Sequence, residues 1–500
     1  MLKSVRREIS KHKILYLVLF VILGLAFFVR VYRVDQVLGF YFDQGRDALV
    51  IWDFWHNGKL FLIGPTTGIA GIFRGPWYYW LIAPTYLIGG GDPVYPSMFL
   101  SILTVVAIAI LWWLAKEIGG WKTGIIAALI ASFSYFLVLA GKWLSNPTPM
   151  MLVSMLLILS MYMITKGKRI YWLLMAISAT MAIQFGSAAE VFYIPAILVF
   201  AWWQRKNLPN RKLLIISAAV FVSGFLPQIL FDIKHQGILS SAIKKFLVDD
   251  QSFKANFWDV VSQRYKLYKD VFFGKLWGTK VQYYTPTLLA GIFVLAANFK
   301  KLWRSDIFKI AMLVFISPLI GMLFFQGNFG NIYDYYFTGY YFVFVLLLSS
   351  ILGSVSGFLG VVILLVFFYL FFDYNLVLIK NHMIAGVDGP TTVQFGNEKQ
   401  AVEWVYEDAG GREFNVDVYV PPVIPYAYDY LFEWMGETKY GTKPVDDERE
   451  LLYTLYEVDL PHPERLEAWL DRQEGIGAVE EEVGFGGITV QRRERIKDGQ

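Results

Sequence analysis

The stretch from Gly39 to Ala48 places three charged side chains close together, directly after an apolar segment of membrane-spanning length. If this stretch is helical, Asp43, Arg46 and Asp47 occupy positions i, i+3 and i+4 and share one face. Charge this close to a bilayer is costly unless it is paired or solvated, so it indicates a functional site. A carboxylate beside a guanidinium suits a transfer reaction in which the carboxylate removes a proton and the cation holds an anionic leaving group.

Further polar side chains lie near the ends of later apolar segments, on what we predict to be the same outer face. Asp43 is the candidate general base. The candidates for binding a phosphate leaving group are Arg46, Arg74 and Lys142, and the candidates for contacts with donor or acceptor are Asp47, Asn146, Glu190, Tyr335 and Tyr336. A carboxylate among two or three cations suits transfer of a group away from phosphate, because the cations stabilise the departing charge.

Each candidate also has an ordinary structural interpretation. Asp43 suits the N-cap of the following helix, Asp47 suits a simple ion pair with its neighbour, and Lys142 suits a lysine that extends to the interface. Asn146, which precedes a proline, fits the start of a helix, and Glu190 near a span end fits a solvated acid. The sequence alone leaves these alternatives open.

Composition predicts the scaffold that positions these residues. The chain has 500 residues, of which 56% are apolar, and a mean hydropathy of +0.46. It contains runs of about 20 apolar residues, the length that crosses ~30 Å of hydrocarbon, and such spans must be helices because lipid offers no partner to the backbone. We predict eleven spans, at residues 14–32, 94–115, 123–140, 147–165, 170–185, 190–203, 212–231, 284–299, 307–325, 337–353 and 357–379.

The charged loops indicate how these spans are oriented. Lys and Arg cluster in the N-terminal tail, which includes Lys3, Arg6 and Arg7, and in every second connection between spans. Basic residues beside spans stay on the cytoplasmic side. We therefore predict a multi-pass protein of the plasma (inner) membrane with a cytoplasmic N-terminus, outer loops at 33–93 and 232–283, and an extracytoplasmic C-terminal region.

The two long outer loops are expected to lie on the membrane surface. Ala48 to Phe54 and Trp77 to Leu87 are apolar and aromatic and predict two interfacial helices in the first loop. The second loop mixes Lys, Asp and aromatic residues, which predicts an amphipathic segment on the outer leaflet. The sequence contains no cysteine, which excludes disulfides and Cys-ligated metals.

The end of the chain has a different composition. Residues 380–500 hold 12 Lys and Arg against 25 Asp and Glu, a net charge of −13, whereas residues 1–379 hold 33 against 16, a net charge of +17. We predict a transmembrane domain at 1–379 and an extracytoplasmic, acidic, soluble α/β domain at 380–500. Its patterns predict helices at 398–407 and 464–473 and strands at 414–420 and 487–491. Anionic lipid would repel this domain, so we expect it to cap the outer face or to engage an acceptor.

The motif Asp43-Gln-Gly-Arg46, followed by Arg74-Gly-Pro76 and then by aromatic residues, stands in the first outer loop. In that position it resembles the GT-C class of integral-membrane glycosyltransferases, in particular the branch of the protein O-mannosyltransferases and the lipid A aminoarabinose transferases. The resemblance covers residues 1–379 and implies an all-α, polytopic, GT-C-like membrane fold. It also implies that Asp43 is a general base or acceptor-binding carboxylate, and that Arg46 and Arg74 bind the polyprenyl phosphate of the donor.

Two positions depart from the pattern of that class. Gln44 stands where many members have a second acid, and Ile72 stands where the aminoarabinose transferases have an acidic metal ligand. We predict no metal-binding residues: a divalent metal stays open as a cofactor, but its ligands are not evident. Donor recognition is then expected to rest on Arg46, Arg74 and Lys142.

These observations predict a glycosyltransferase that moves a hexosyl or pentosyl group from a polyprenyl-phosphate donor to an extracytoplasmic glycolipid, polysaccharide or protein, with inversion. The expected partners are this donor, membrane lipid and the acceptor, and no nucleic acid. The alternatives are a transporter or flippase of lipid-linked sugars, and a non-catalytic scaffold. Transporters tend to have paired halves with broken mid-membrane helices, whereas the charges here cluster at one face. Convergence of Asp43, Arg46, Arg74 and Lys142 on one outward cavity would favour the enzyme.

Overall fold

The computed structural model describes residues 8, 10–249, 256–325, 331–384, 387, 389–421 and 424–496. Helices make up most of this range, and a four-stranded sheet lies near its C-terminal end. The fold agrees with the predicted class of a mostly helical chain that ends in a small α/β unit. The basic residues Lys3, Arg6 and Arg7 of the predicted cytoplasmic tail lie outside the described residues.

Each of the eleven predicted spans falls on a helix or on consecutive helices. In chain order these are Lys13–Val31, Val94–Phe133, Tyr135–Lys142, Met150–Thr165, Tyr171–Phe185, Ala188–Phe192 with Tyr193–Trp203, Arg211–Ser223 with Leu226–Lys234, Tyr284–Leu302, Asp306–Gly321, Asp334–Tyr340 with Tyr341–Ser354, and Gly357–Ile384. Val94–Phe133 changes direction at Gly119 and Gly120, between two predicted spans. The φ of 76° at Gly120 is one that glycine adopts without strain.

Length divides these helices into two groups. Among the described residues, four helices are individually long and apolar enough to cross a membrane: Lys13–Val31, Val94–Phe133, Asp334–Ser354 and Gly357–Ile384. A fifth crossing is obtained if Arg211–Ser223 and Leu226–Lys234, which meet at 48°, count as one broken span. The predicted total of eleven spans therefore stays a prediction.

Both long outer loops are largely helical. The predicted interfacial helix at 48–54 is part of a longer helix, Phe42–Asn57, which we call the motif helix because it contains the Asp-Gln-Gly-Arg motif. The second predicted helix of this loop is Trp77–Ile88. The second outer loop contains Ile238–Lys244, Lys245–Asp249 and Phe257–Trp277. The last turns of Phe257–Trp277 are buried, so this helix is only partly a surface element.

The C-terminal unit is a four-stranded sheet accompanied by three helices. The strands are β1 (Asn415–Tyr419), β2 (Leu451–Glu457), β3 (Gly477–Phe485) and β4 (Ile488–Arg495), and the helices are Phe395–Ala409, Tyr426–Met435 and Pro463–Glu474. The strand order is β1-β2-β4-β3, with β1 and β2 parallel and the other pairs antiparallel. Both predicted helices and both predicted strands are present. The helix Tyr426–Met435 and the strands β2 and β3 were not predicted.

The C-terminal unit packs directly against the motif helix. Gly45 lies so close to the start of Tyr426–Met435 that a Cβ atom at position 45 would be 2.3 Å from the backbone nitrogen of Ala427. Further along, Nε1 of Trp52 donates a hydrogen bond to a carboxylate oxygen of Glu433 at 3.2 Å. The motif helix is therefore positioned by residues from the opposite end of the chain.

Candidate active site

A cavity of about 720 Å³ lies beside the first turns of the motif helix. We call it the larger cavity. Asp43, Arg46 and Arg74 all line it, although Arg74 comes from a different segment of the first loop. Its other polar lining residues include Asn146, Ser187, Gln228, Asp232, Tyr335 and Tyr336. Three of the four residues that the sequence analysis expected to converge therefore meet in one cavity.

Asp43 is the second residue of the motif helix and does not cap it. The helix begins after Tyr41, whose backbone N–H donates to Oε1 of Gln44 at 3.1 Å. The side-chain amide of Gln44 donates in turn to the carbonyl of Leu144 at 3.1 Å, which ties the start of the helix to a neighbouring loop. The alternative interpretation of Asp43 as an N-cap is wrong. Gln44 stands where many GT-C members have a second acid, and here it holds the start of the helix in place through these two hydrogen bonds.

Arg46 lies between the two carboxylates of the motif. Its Nη1 is 2.9 Å from Oδ1 of Asp43, and its Nη2 is 2.8 Å from Oδ1 of Asp47. Nε of Arg46 also donates to Asp47 at 3.0 Å. The side chain of Asp43 is 57% exposed and that of Asp47 is 7% exposed, so Asp43 is the carboxylate that faces the cavity. Arg46 holds this carboxylate in place while Asp47 holds Arg46.

Asp47 is buried behind Arg46, and it is not among the residues that line the larger cavity. Its Oδ1 accepts hydrogen bonds from Arg46 and, at 2.9 Å, from the hydroxyl of Tyr79. Burial raises the pKa of Asp47 to about 6, although the Arg46 cation and both sets of hydrogen bonds act to lower it. This geometry favours the ion-pair interpretation of Asp47 over direct contact with a substrate.

Arg74 reaches the cavity from a loop that folds back on itself. The N–H of Gly64 donates to the carbonyl of Arg74 at 2.8 Å, and the N–H of Arg74 donates to the carbonyl of Pro65 at 3.2 Å. The guanidinium has one long hydrogen bond, from Nη2 to Oγ of Ser187 at 3.5 Å, and its buried Nε has no partner within the described ranges. Burial lowers the pKa of Arg74, because the charged form lacks compensation. An anion in the cavity would supply that compensation.

Two glutamines that the sequence analysis missed hold the loop that carries Arg74. The N–H of Gly75 donates to Oε1 of Gln184 at 2.8 Å, and Nε2 of Gln184 donates to Oε1 of Gln228 at 2.8 Å. Nε2 of Gln228 then donates to the carbonyl of Phe73 at 2.9 Å. Both glutamines lie within predicted spans, where an amide without a partner is costly. Two polar amides within apolar runs were the sequence feature that could have indicated this role.

Glu190 is fully buried and joins two backbone segments. Its carboxylate accepts hydrogen bonds from the N–H of Ser187 at 2.7 Å and from the N–H of Gly339 at 3.0 Å. The interpretation of Glu190 as a solvated acid is wrong, and the residue does not line the larger cavity. Asn146 does line it, with its amide nitrogen donating to the carbonyl of Phe185 at 2.8 Å.

Aromatic rings form one side of the larger cavity. The ring of Tyr335 lies 5.0 Å from that of Tyr336 and 5.9 Å from that of Trp143, measured between centroids. Trp143 and Tyr335 also line a second cavity of about 460 Å³, which we call the smaller cavity. The two cavities therefore adjoin at these two residues.

Lys142 lines the smaller cavity, a different cavity from the one that Arg46 and Arg74 line. Its Nζ is 2.6 Å from Nε2 of His382, and the residue is only 4% exposed. The interpretation of Lys142 as a lysine that extends to the interface is wrong, because its ammonium group is enclosed.

The rest of the larger cavity is predominantly apolar. Its aliphatic and aromatic lining residues are Ile69, Ile72, Phe73, Ile183, Val191, Phe192, Phe225, Ile229, Leu239, Ile243, Phe246 and Phe325. Many of them lie on helices that follow predicted membrane spans or belong to them. One end of the cavity thus suits an anionic group, and the remaining wall suits hydrocarbon.

The residues around Ile72 do not fit a metal centre. Across the described parts of the chain, no group of three or more His, Asp or Glu side chains could hold a metal ion. Two carboxylates line the larger cavity, Asp43 and Asp232. Arg46 engages the first, and the second accepts a hydrogen bond from the N–H of Ser240 at 3.0 Å.

Residues 74–231 match the family of the dolichyl-phosphate-mannose-protein mannosyltransferases. The matched part begins at Arg74 and includes both glutamines that hold its loop. It covers just under a third of the chain. No curated protein matches the sequence.

Several solved structures share the fold at low sequence identity. ArnT from Cupriavidus metallidurans, in a crystal structure with bound undecaprenyl phosphate, is 11% identical at a TM-score of 0.60, over 95% of this chain and 97% of that one. The oligosaccharyltransferase from Archaeoglobus fulgidus in complex with Zn and sulfate is 13% identical at a TM-score of 0.51, over 94% and 73%. The same organism's AglB, in complex with an inhibitory peptide and a dolichol-phosphate, is 12% identical at a TM-score of 0.50, over 96% and 74%.

The similarity to ArnT extends through the C-terminal unit, because nearly the whole of both chains is covered. The matched family is one of mannosyltransferases and the matched Archaeoglobus fulgidus protein is an oligosaccharyltransferase; neither is a transporter or a flippase. The resemblance predicted from the first-loop motif is confirmed: this chain has the fold of the GT-C membrane glycosyltransferases, which it shares with ArnT and AglB.

Proposed function

We propose that this protein is a membrane glycosyltransferase that moves a sugar from a polyprenyl-phosphate donor to an extracytoplasmic glycolipid, polysaccharide or protein. The observation that carries the proposal is the convergence of Asp43, Arg46 and Arg74 on one cavity whose remaining wall is apolar. A cationic end suits a phosphate, and an apolar wall suits an isoprenoid chain. The undecaprenyl phosphate bound to ArnT and the dolichol-phosphate in complex with AglB support a donor of this class.

Arg74 is the main phosphate-binding residue in this proposal. Its guanidinium lines the cavity, and most of its N–H groups have no protein acceptor among the described residues. Most donors of Arg46, in contrast, already bind Asp43, Asp47 and Thr66. Arg46 therefore contributes positive charge to the donor site and orients Asp43. A planar guanidinium also matches phosphate geometry better than an ammonium group does.

Asp43 is the general base in this proposal. A hydroxyl of the acceptor transfers its proton to the Asp43 carboxylate while its oxygen forms a bond to the anomeric carbon of the donor. The bond from that carbon to the phosphate oxygen breaks, and its electron pair stays on the phosphate, where Arg74 and Arg46 stabilise the charge. The leaving phosphate needs no proton, so one base and two cations complete the reaction.

The position of Asp47 supports a single displacement with inversion. A retaining route through a covalent intermediate would need a second nucleophile, and Asp47 is the nearest carboxylate to Asp43 in the motif. Its oxygen Oδ1 is bound by Arg46 and Tyr79, and the side chain is 7% exposed. A carboxylate held in this way is not available for attack on a sugar in the cavity.

Transfer by the purified full-length protein in lipid nanodiscs tests the proposal, with a panel of radiolabelled polyprenyl-phosphate sugars and outer-membrane or envelope glycans as acceptors. We expect turnover with at least one donor. Asp43→Asn should lower the rate about 10²–10⁴-fold, the usual contribution of a general base, with donor binding retained. Asp53→Asn is the matched control, because Asp53 lies on the same helix and binds Lys59 outside the cavity. Full activity of Asp43→Asn would contradict the assigned base.

A further inference from the structure

The smaller cavity has a composition of its own. Its polar lining residues are Tyr41, Lys142, Lys275, Asp334, Thr338, Tyr341, His382 and Gln394, and its apolar and aromatic ones include Val37, Leu38, Tyr135, Phe136 and Leu139. It has a volume of about 460 Å³, which is enough for a sugar with a charged substituent. The mechanism proposed above uses none of these residues.

The two lysines of this cavity differ in their partners. Lys275 forms an ion pair with Asp334, and its Nζ lies 4.4 Å from the centre of the Tyr341 ring. Lys142 has no carboxylate partner among the described residues. Within the described ranges, Nε2 of His382 is the one hydrogen-bond partner of its Nζ, at 2.6 Å, so the imidazole is the acceptor and is neutral. The remaining N–H donors of Lys142 are thus available to a ligand in the cavity.

An enclosed ammonium group without a counter-ion is costly to the folded protein. Lys142 is 4% exposed, and the neutral acceptor His382 supplies no charge to compensate it. The missing component of this site is therefore an anion. Phosphate and carboxylate are the two common groups that an ammonium donor binds in this way.

The smaller cavity adjoins the place where the reaction occurs. Trp143 and Tyr335 line both cavities, and their ring centroids are 5.9 Å apart. Asp43 and Arg74 line the larger cavity, and Lys142 lines the smaller one. A ligand held by Lys142 therefore lies next to the cavity that contains Asp43.

We propose that the smaller cavity binds an oxyanion of the acceptor through Lys142, so that donor and acceptor approach Asp43 from two different cavities. The identification of the ligand as an acceptor rests on the proposed transferase function. The oxyanion site itself can be tested without turnover. It assigns Lys142 to the acceptor, where the sequence analysis assigned it to the donor phosphate. The acceptor is accordingly a molecule that carries a phosphate or a carboxylate close to the hydroxyl group that receives the sugar.

Photolabelling of the full-length protein tests the oxyanion site without any activity. Three probes of similar size are used: 4-benzoylphenyl phosphate, 4-benzoylbenzoate and the neutral 4-benzoylbenzyl alcohol, with labelled peptides identified by mass spectrometry. We expect one or both anionic probes to label the segment 135–143 and the alcohol to label it weakly. The more efficient anionic probe identifies the oxyanion as phosphate or carboxylate. Equal labelling by the alcohol would overturn the proposal.

Variants connect this labelling to Lys142. Lys142→Gln should reduce labelling of 135–143 at least about tenfold, since a hydrogen bond to a charged group is worth that factor or more. Lys142→Arg should keep most of it, and the exposed Lys280→Gln is the matched control. Labelling of peptides around the larger cavity must persist in Lys142→Gln, which shows that the variant is folded. Unchanged labelling of 135–143 in folded Lys142→Gln would overturn the assignment.

Transfer kinetics separate the acceptor role from the donor role. With an oxyanion-bearing acceptor, Lys142→Gln should raise the acceptor KM about tenfold or more and leave the donor KM unchanged. A raised donor KM with an unchanged acceptor KM would overturn the inference and restore Lys142 to the donor site. If no donor supports transfer but the labelling behaves as expected, the proposed function fails and the oxyanion site stands.

Discussion

At the scale of single residues, the two arginines of the first loop have very different surroundings. Arg46 is paired with two carboxylates and also donates to Thr66, whereas Arg74 has one hydrogen bond of 3.5 Å and an unpartnered Nε within the described residues. From the sequence alone, both residues are simply cations near a predicted membrane surface. The carboxylate partners of Arg46 lie within one helical turn of it, as the spacing predicts. The hydrogen-bond partner of Arg74 is Ser187, 113 positions away, so spacing could not reveal the surroundings of Arg74.

This difference predicts different kinetic effects for the two arginines. Arg74→Ala should weaken binding of a polyprenyl-phosphate sugar about ten- to hundredfold, because it removes charged hydrogen bonds. Arg46→Ala should mainly lower kcat, because Asp43 loses its only ion-pair partner among the described residues. Equilibrium binding of radiolabelled donor and steady-state rates in nanodiscs measure the two effects.

Two controls accompany these variants. Arg74→Lys should recover only part of the affinity, since an ammonium group does not reproduce a planar fork. Arg205→Ala removes an exposed arginine that is not among the residues lining either cavity and should change neither quantity. Donor affinity equal to wild type in Arg74→Ala would remove Arg74 from the donor site.

The burial of Asp47 predicts a pH-dependent contribution to stability. Its pKa rises from the ordinary 3.8 to about 6 in the folded protein, so the folded state binds this proton more tightly than the unfolded state does. The contribution of Asp47 to the free energy of unfolding therefore falls as pH rises from about 4 to about 6, by an amount on the order of 3 kcal/mol. An asparagine side chain does not titrate. The melting temperature of Asp47→Asn minus that of wild type should therefore increase as pH rises from about 4 to about 6.

Thermal unfolding in nanodiscs between pH 4 and pH 7 measures this difference. Asp53→Asn supplies a control without pH dependence, because the hydrogen bond from Lys59 lowers the pKa of Asp53 below its ordinary 3.8. The contribution of Asp53 to stability changes only below about pH 4, so the melting difference between Asp53→Asn and wild type should stay nearly constant from about pH 5 to about pH 7. A melting difference between Asp47→Asn and wild type that is independent of pH would show that Asp47 is not buried as a titrating carboxylate.

At the scale of elements, the motif helix is fixed from two sides. Gln44 ties its first turn to the carbonyl of Leu144, and Gly45 lies in backbone contact with Tyr426 and Ala427. Gly45 is the fourth residue of the helix and has helical backbone angles, so its conformation alone does not require glycine. The reason is the close approach of another backbone, which leaves no room for a Cβ atom.

This contact predicts a severe effect for the smallest substitution in the motif. In Gly45→Ala the new Cβ would lie 2.3 Å from backbone atoms of residues 426 and 427, which cannot move as a flexible side chain can. The C-terminal unit and the motif helix must separate, so we expect a lower melting temperature and loss of transfer. Gly24→Ala is the matched control, because a Cβ there meets nothing within 4 Å and alanine favours a helix. Normal melting and activity of Gly45→Ala would contradict the contact.

Elements were predictable where their own sequence carried the signal. Long apolar runs predicted the helices between Lys13 and Ile384 that coincide with the eleven spans, and a short strand pattern predicted part of β4. The helix Tyr426–Met435 was missed because seven of its ten residues are buried, which removes the contrast between a polar and an apolar face. The hydrogen bond between Gln184 and Gln228 was missed because these residues are more than 40 positions apart in the chain.

At the scale of the whole molecule, the opposite charges of the two units agree with a domain that stands on the outer side of a membrane. Residues 1–379 carry +17 and residues 380–500 carry −13. The convergence of Asp43, Arg46 and Arg74 could be predicted from their loop position, because residues after one span and before the next lie near the same surface. The placement of Lys142 in a different cavity could not be predicted, because the sequence does not reveal that two cavities adjoin at Trp143.

The orientation of the chain gives a direct prediction. The protein has no native cysteine, so a single introduced cysteine is the only thiol. Gly475→Cys, at an exposed position of the acidic unit, should react with an impermeant maleimide in intact cells. Lys206→Cys, in a predicted cytoplasmic loop, should react only after permeabilisation. The reverse pattern would invert the predicted topology and place the site on the cytoplasmic side.

The contact between Gly45 and Ala427 also sets the time at which the site can form during biosynthesis. Trp52 and Glu433, which bond along the same interface, are 381 positions apart in the chain. At ordinary rates of synthesis of 5–20 residues per second, the second surface emerges about 20 to 80 seconds after the first. A nascent chain therefore carries Asp43 and Arg46 on a helix whose partner does not yet exist, and the site is complete only after the C-terminal unit has been made.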